Sequence, residues 1–170
     1  MQYFHGFSLQ EEEEIFSQYL LHSDYCVAGF SFGAQEALEY VYHSPKRIDR
    51  LILLSPAFFQ TQKQSFIRAQ LRYFDANTQA YIQQFTSNVA SPSNVDLSAY
   101  IQTGKREDLD ALLCYVWDVE KLEAIQSRGT VIEVFLGEKD EIIDSKEAFD
   151  FFAPISTIYF IKNVGHALLS

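Results

Sequence analysis

An α/β fold on a mainly parallel sheet is what this sequence predicts, and three observations predict it. Short apolar, β-branched runs recur at positions 51–54, 131–136 and 155–161, each closed by a turn-forming segment. Between them, apolar residues repeat at helical rather than strand spacing. A Gly29-Phe30-Ser31-Phe32-Gly33 element lies between a short apolar run and a helical pattern. Apolar strands separated by helices argue for parallel strands buried on both faces.

The chain opens with an apolar tetrad, read as a first strand, followed by His5-Gly6-Phe7. Ser8-x-x-Glu11 has the form of a capping box, with Glu11 to Glu14 in the first turn, where carboxylates complement the helix dipole. Ile15, Phe16, Tyr19 and Leu20 supply that helix with an apolar face. The acidic run therefore reads as a solvated helix start. No His or Cys spacing accompanies it, so no metal site is expected. Tyr25-Cys26-Val27-Ala28 reads as a buried strand, and Ala34, Ala37, Leu38 and Val41 mark one face of a helix that stops at Ser44-Pro45. Leu51-Ile52-Leu53-Leu54 is the next strand, ended by Ser55-Pro56.

From about 60 to 128 the strand signal vanishes. Ile67, Leu71 and Phe74 form one helical stripe, Tyr81, Ile82 and Phe85 a second, and Ser91-Pro92-Ser93-Asn94 breaks the run. Leu109, Leu112, Leu113 and Val116 make a third stripe, and Val119, Leu122 and Ile125 a fourth, capped by Gly129. Runs 131–136 and 155–161 complete a count of five strands. The expected organisation is a single domain over 1–170, with a core of 1–59 and 129–170. Residues 60–128 are read as a helical lid above the carboxyl ends of the strands.

A chain of 170 residues with 48% hydrophobic and 21% charged residues is an ordinary globular domain. Its formal charge of −10 repels nucleic acid and anionic membrane surfaces, so neither is expected as a partner. No apolar run approaches the roughly 20 residues of a membrane helix. The N-terminus lacks the basic segment and long apolar core of a secretory signal, and Cys26 and Cys114 read as reduced core residues. A cytoplasmic location is expected. The aromatic share of 15% suits a core and, equally, a greasy ligand channel.

The G-x-S-x-G element is the pattern of a nucleophile elbow, in which a strained strand-to-helix turn projects the serine hydroxyl above the sheet. Ser31 is then the nucleophile, and it needs a base and an orienting carboxylate. Of His5, His22, His43 and His166, only His166 follows a late strand and every candidate acid, so it is the expected base. Gly137-Glu138-Lys139-Asp140 places Asp140 just past a strand tip as the expected carboxylate, with Glu138, Glu141 and Asp144 as rivals in the same loop. An oxyanion needs two backbone donors. Phe32 N–H, directly after the nucleophile, is one; Phe7 N–H is the choice for the other, with Gly6 second and His5 shaping the loop. Neither a metal nor a flavin site finds support, and no cofactor is expected.

Four segments follow one another at the spacing of a compact α/β-hydrolase: 4–7, 27–34, 133–140 and Asn163-Val164-Gly165-His166. Over essentially its full length the chain resembles the short pimeloyl acyl-carrier-protein methyl ester esterases of the BioV type, with the lid matched by pattern more than by motif. It lacks a further strand that longer hydrolases place between the first helix and the elbow. The resemblance implies a substrate: the methyl ester of a pimeloyl chain carried on acyl carrier protein, hydrolysed on the way to biotin. Phe58, Phe59, Phe66 and Trp117 would then line an acyl channel. Arg68 and Arg72, four residues apart and off the apolar face, would dock the acidic carrier. The same motifs serve general carboxylesterases, thioesterases and acyltransferases; a hydrolase-fold ligand-binding protein without turnover is the alternative of another class.

Overall fold

A computed structural model describes residues 1–170. Five strands, β1 (Gln2–Phe4), β2 (Cys26–Phe30), β3 (Arg50–Leu54), β4 (Val131–Gly137) and β5 (Thr157–Ile161), form one sheet in chain order with every neighbouring pair parallel. Six helices connect them: α1 (Phe32–His43) after β2, α2 (Gln64–Ala76), α3 (Thr78–Ala90), α4 (Arg106–Cys114) and α5 (Val119–Ser127) after β3, and α6 (Ser145–Phe152) after β4. None is long and apolar enough to cross a membrane.

The strands read as continuous apolar runs because successive side chains enter two different cores. Val27, Leu51, Leu53, Ile132, Val134 and Leu136 point into a large cluster with α1, α5 and α6. Cys26, Ala28, Phe30, Ile52, Leu54 and Phe135 enter a smaller cluster on the opposite face. That second face is closed by Leu9 and Phe16, by Val89 at the end of α3, and by Val164, Ala167 and Leu168 near the C-terminus.

Three sequence expectations are corrected. Ser8 and Glu11 do not form a capping box: both have positive φ, which interrupts any helix, and only a 3-10 turn over Glu12–Phe16 follows. The Ser8 hydroxyl is buried without a hydrogen-bond partner instead of capping an N–H. Val116 lies beyond α4 and is 67% exposed, because the helix ends at Cys114. Cys114 is itself a surface residue; Cys26 alone is in a core, where burial pushes its thiol pKa up.

Registers align the strand ends. Phe4 pairs with Gly29, Gly29 with Leu53, Leu54 with Phe135 and Gly137 with Ile161. The loops after β1, β2, β3, β4 and β5 therefore leave the same edge of the sheet. That edge carries the candidate site.

Candidate active site

Ser31 begins the turn from β2 into α1 with φ 54° and ψ −112°, a conformation that costs a non-glycine residue free energy. Its backbone is held on three sides: Ser31 N–H donates to Leu54 O, and Ser31 O accepts from Ala34 and Ala57 N–H. The flanking glycines are required by contact. A Cβ on Gly29 would run into the Gly33 carbonyl, and one on Gly33 into the Phe4 carbonyl at the end of β1. The elbow is thus clamped between β1 and its own helix.

His166 closes on Ser31 from the loop after β5. Its Nε2 lies 2.9 Å from Ser31 Oγ and its Nδ1 2.7 Å from Asp140 Oδ2. The imidazole and the Asp140 side chain are fully buried, and Ser31 is 3% exposed. The second carboxylate oxygen is also fixed: Asp140 Oδ1 accepts from Ile142 N–H at 2.8 Å and Ile143 N–H at 3.0 Å. Ser55 Oγ donates to the His166 carbonyl at 2.7 Å, anchoring the histidine's backbone, and the Phe30 ring packs 5.1 Å from the imidazole. His166, 135 positions from Ser31 and 26 from Asp140, therefore joins the two with both ring nitrogens engaged.

The rivals for Asp140 are otherwise occupied. Asp144 caps α6 by accepting from Lys146 and Glu147 N–H. Glu138 accepts from Asn163 N–H, and Glu141 from the Ser91 hydroxyl. His22 is exposed, and His43 sits at the end of α1, 3.4 Å from a Glu39 oxygen.

Of the expected oxyanion donors, Phe7 and Phe32 N–H have no acceptor within the chain. Phe32 is the first residue of α1, where an N–H lacks an intrahelical partner and the dipole favours negative charge. Gly6 is corrected: its N–H donates to Glu12 Oε1 at 2.7 Å and is not free for a substrate. Glu12 is the residue that sequence reasoning misplaced. It is fully buried, receives a 3.4 Å bond from Tyr3 OH, and lies 2.8 Å from His5 Nδ1. Burial and the Glu12 carboxylate drive the Tyr3 phenol far above its ordinary pKa, so it remains a donor. Only one sequence signal sets Glu12 apart from its neighbours: it stands four residues before Phe16, on the inward side of the turn.

Beside the acid loop lies a cavity of about 170 Å³ lined by Phe59, Tyr81, Phe85, Leu109, Leu112 and Ile142, among others. Phe66 stacks on Phe59, with ring centroids 6.1 Å apart. Phe58, Phe66 and Trp117 do not line this cavity. Phe58 packs against Phe151 and Phe152, and Trp117 packs on Phe152 while its indole N–H donates to Ala57 O at 2.9 Å. The Ala57 carbonyl also receives buried Gln35 Nε2, so this corner is a satisfied core. Arg68 and Arg72 lie on the exposed side of α2; neither is in an ion pair, and the Arg72 guanidinium rests 5.6 Å over the Tyr73 ring. No group of three or more His, Cys, Asp or Glu side chains is placed to hold a metal ion.

This parallel sheet with a serine elbow, a late histidine and an acid after the penultimate strand is the α/β-hydrolase fold. Solved structures share it. The Bacillus subtilis carboxylesterase CesB superposes with a TM-score of 0.57 at 18% identity, covering 92% of this chain and 57% of its own. Naproxen esterase from Bacillus subtilis gives 0.58 at 21% identity, covering 84% of this chain and 53% of its own. A hydrolase from Oleispira antarctica gives 0.65 at 18% identity, covering 84% and 58% respectively. The chain thus spans a little over half the length of each. No protein-family model matches the sequence, and neither does any curated protein sequence.

Proposed function

We propose that this chain is a serine carboxylic-ester hydrolase whose substrate is the methyl ester of a pimeloyl chain carried on acyl carrier protein. The observation that carries the hydrolase reading is His166 bridging Ser31 Oγ and Asp140 in a buried, fully engaged triad. Similarity of the fold to that of carboxylesterases supports it. The resemblance to pimeloyl acyl-carrier-protein methyl ester esterases supports the substrate.

In this reading His166 Nε2 takes the Ser31 proton as Oγ attacks the ester carbonyl, while Asp140 stabilises the imidazolium. Charge on the carbonyl oxygen is met by Phe7 and Phe32 N–H. His166 returns the proton to the methoxy oxygen, methanol leaves, and the acyl group remains on Ser31. A water, deprotonated by His166, attacks that ester and releases the free carboxylate. Helices α2 to α5 act as the lid, and Arg68 and Arg72 face the carrier.

The test compares kcat/KM for methyl pimeloyl-carrier protein with that for free p-nitrophenyl acetate on the purified protein. The carrier-linked ester should be preferred by about tenfold or more. A preference for the free ester leaves a serine esterase but removes this substrate.

A further inference from the structure

The ester-hydrolase reading leaves one costly feature without a role: a fully buried carboxylate in an otherwise surface acidic run. We infer that Glu12 is a positioning residue that sets the aim of the Phe7 N–H in the oxyanion hole. This rests on the reading above and goes beyond it.

The loop after β1 is held peptide by peptide. Glu12 Oε1 fixes the Gly6 N–H, and Glu12 Oε2 engages His5 Nδ1. The Gly6 carbonyl accepts from Leu9 N–H at 3.1 Å. A trans peptide is planar with N–H antiparallel to C=O, so pinning Gly6 C=O sets the direction of Phe7 N–H in the same plane. Glu12 fixes the plane before it, and the Phe7 ring is wedged against Phe74 and Phe85 after it. With its own carbonyl-side and ring-side neighbours restrained, the unbonded Phe7 N–H has little freedom. An oxyanion donor is effective when it needs no reorganisation during the reaction. A carboxylate on the adjacent peptide supplies that stiffness, and it explains why the carboxylate is buried at this place. The acceptor matters here more than the charge. Glu12→Gln keeps an oxygen for Gly6 N–H, whereas Glu12→Met fills the space without one.

The experiment reads the second-order rate at which a fluorophosphonate labels Ser31. Phosphonylation also develops charge on an oxygen in the hole, and the reading does not depend on which ester is the substrate. Glu12→Met should slow labelling by on the order of 10²-fold, the size of a lost oxyanion donor, while Glu12→Gln stays within about threefold of wild type. Glu14→Gln, on the exposed side of the turn, should match wild type. On any ester turned over, the Met variant should lose kcat with KM nearly unchanged. If Glu12→Met does not fold, Glu12→Asp carries the test, since it withdraws the acceptor by one methylene and should slow labelling at least tenfold. Folded Met or Asp variants that label at the wild-type rate would overturn the clamp alone. A wild-type protein that takes no label would overturn the serine-hydrolase reading, and the clamp with it.

Discussion

The carboxyl edge of the sheet and the helices α2 to α5 are built by different forces. At the edge, loops are tied by directional bonds between distant segments. Lys139 N–H donates to Val164 O, Glu138 N–H to Ile161 O, Ser55 N–H to Phe135 O and Ser31 N–H to Leu54 O. Across the helices, contact is mainly aromatic and aliphatic. Phe74 meets Tyr81 edge-on, Phe59 stacks on Phe66, and the polar links between α2 and α3 are the Thr78 hydroxyl to the Phe74 carbonyl at 3.0 Å and Tyr81 OH to Gln70 at 2.9 Å. Burial pushes that phenol's pKa up to about 12, so it keeps its proton as the donor. Hydrogen bonds fix direction, whereas apolar contacts are non-directional and allow side chains to slide. Chemistry belongs where positions are fixed, and adaptation to a substrate where they are not.

The sharpest break of that contrast is at the edge. Ser31→Ala or His166→Ala should lower kcat by on the order of 10⁴- to 10⁶-fold, with thermal unfolding nearly unchanged. A steady-state ester assay beside calorimetry checks this. Residual activity within tenfold of wild type would point to a different nucleophile or base.

The next test stays within one loop. Asp140→Asn should cost on the order of 10³- to 10⁴-fold, because an amide cannot stabilise the imidazolium and favours the wrong tautomer. Asp144→Asn should change activity by less than about twofold, since asparagine caps a helix nearly as well as aspartate. Parallel kcat/KM measurements decide, and reversed severity would reassign the acid.

How much of this was legible before the fold was known follows the same divide. The strands were readable because both of their faces are buried, which leaves continuous apolar runs such as Leu51 to Leu54. That Ser31, Asp140 and His166 come together was readable because strained turns need glycine and the order of such residues along the chain is restricted. Glu12 was not, because a glutamate inside Glu11–Glu14 looks solvated and its partners Tyr3, His5 and Gly6 belong to another segment. Which aromatics face a cavity was also hidden. Phe58 and Phe59 are adjacent, yet one enters the α6 core and the other the cavity wall, a choice made by tertiary packing.

That pair of environments gives a third measurement. Trp117→Ala should destabilise the fold by about 3–5 kcal/mol, since it removes a buried ring together with one of the two donors to the Ala57 carbonyl. Phe59→Ala should cost less stability, about 2–3 kcal/mol, because one side of the ring already faces a void. It should instead raise KM for long acyl esters more than for acetyl esters. Denaturant titration and a chain-length series separate the two. Equal stability losses with no chain-length effect would return Phe59 to the core.

The smallest effect is expected at the outer surface of α2. If Arg68 and Arg72 face an acidic carrier, reversing both to Glu should raise KM for the carrier-linked ester by about three- to tenfold. Both side chains are exposed and lack ion pairs, and the one contact either makes is that of Arg72 with the exposed Tyr73 ring. The increase should shrink between low salt and about 0.5 M, because the Debye length falls well below its value of about 10 Å at 0.1 M. kcat and hydrolysis of free esters should stay at wild-type values, since the triad lies in loops that α2 does not bond. Equal losses on carrier-linked and free esters would mean that the reversal distorts the cavity wall through Gln70. No loss on either would return both arginines to ordinary solvated surface positions.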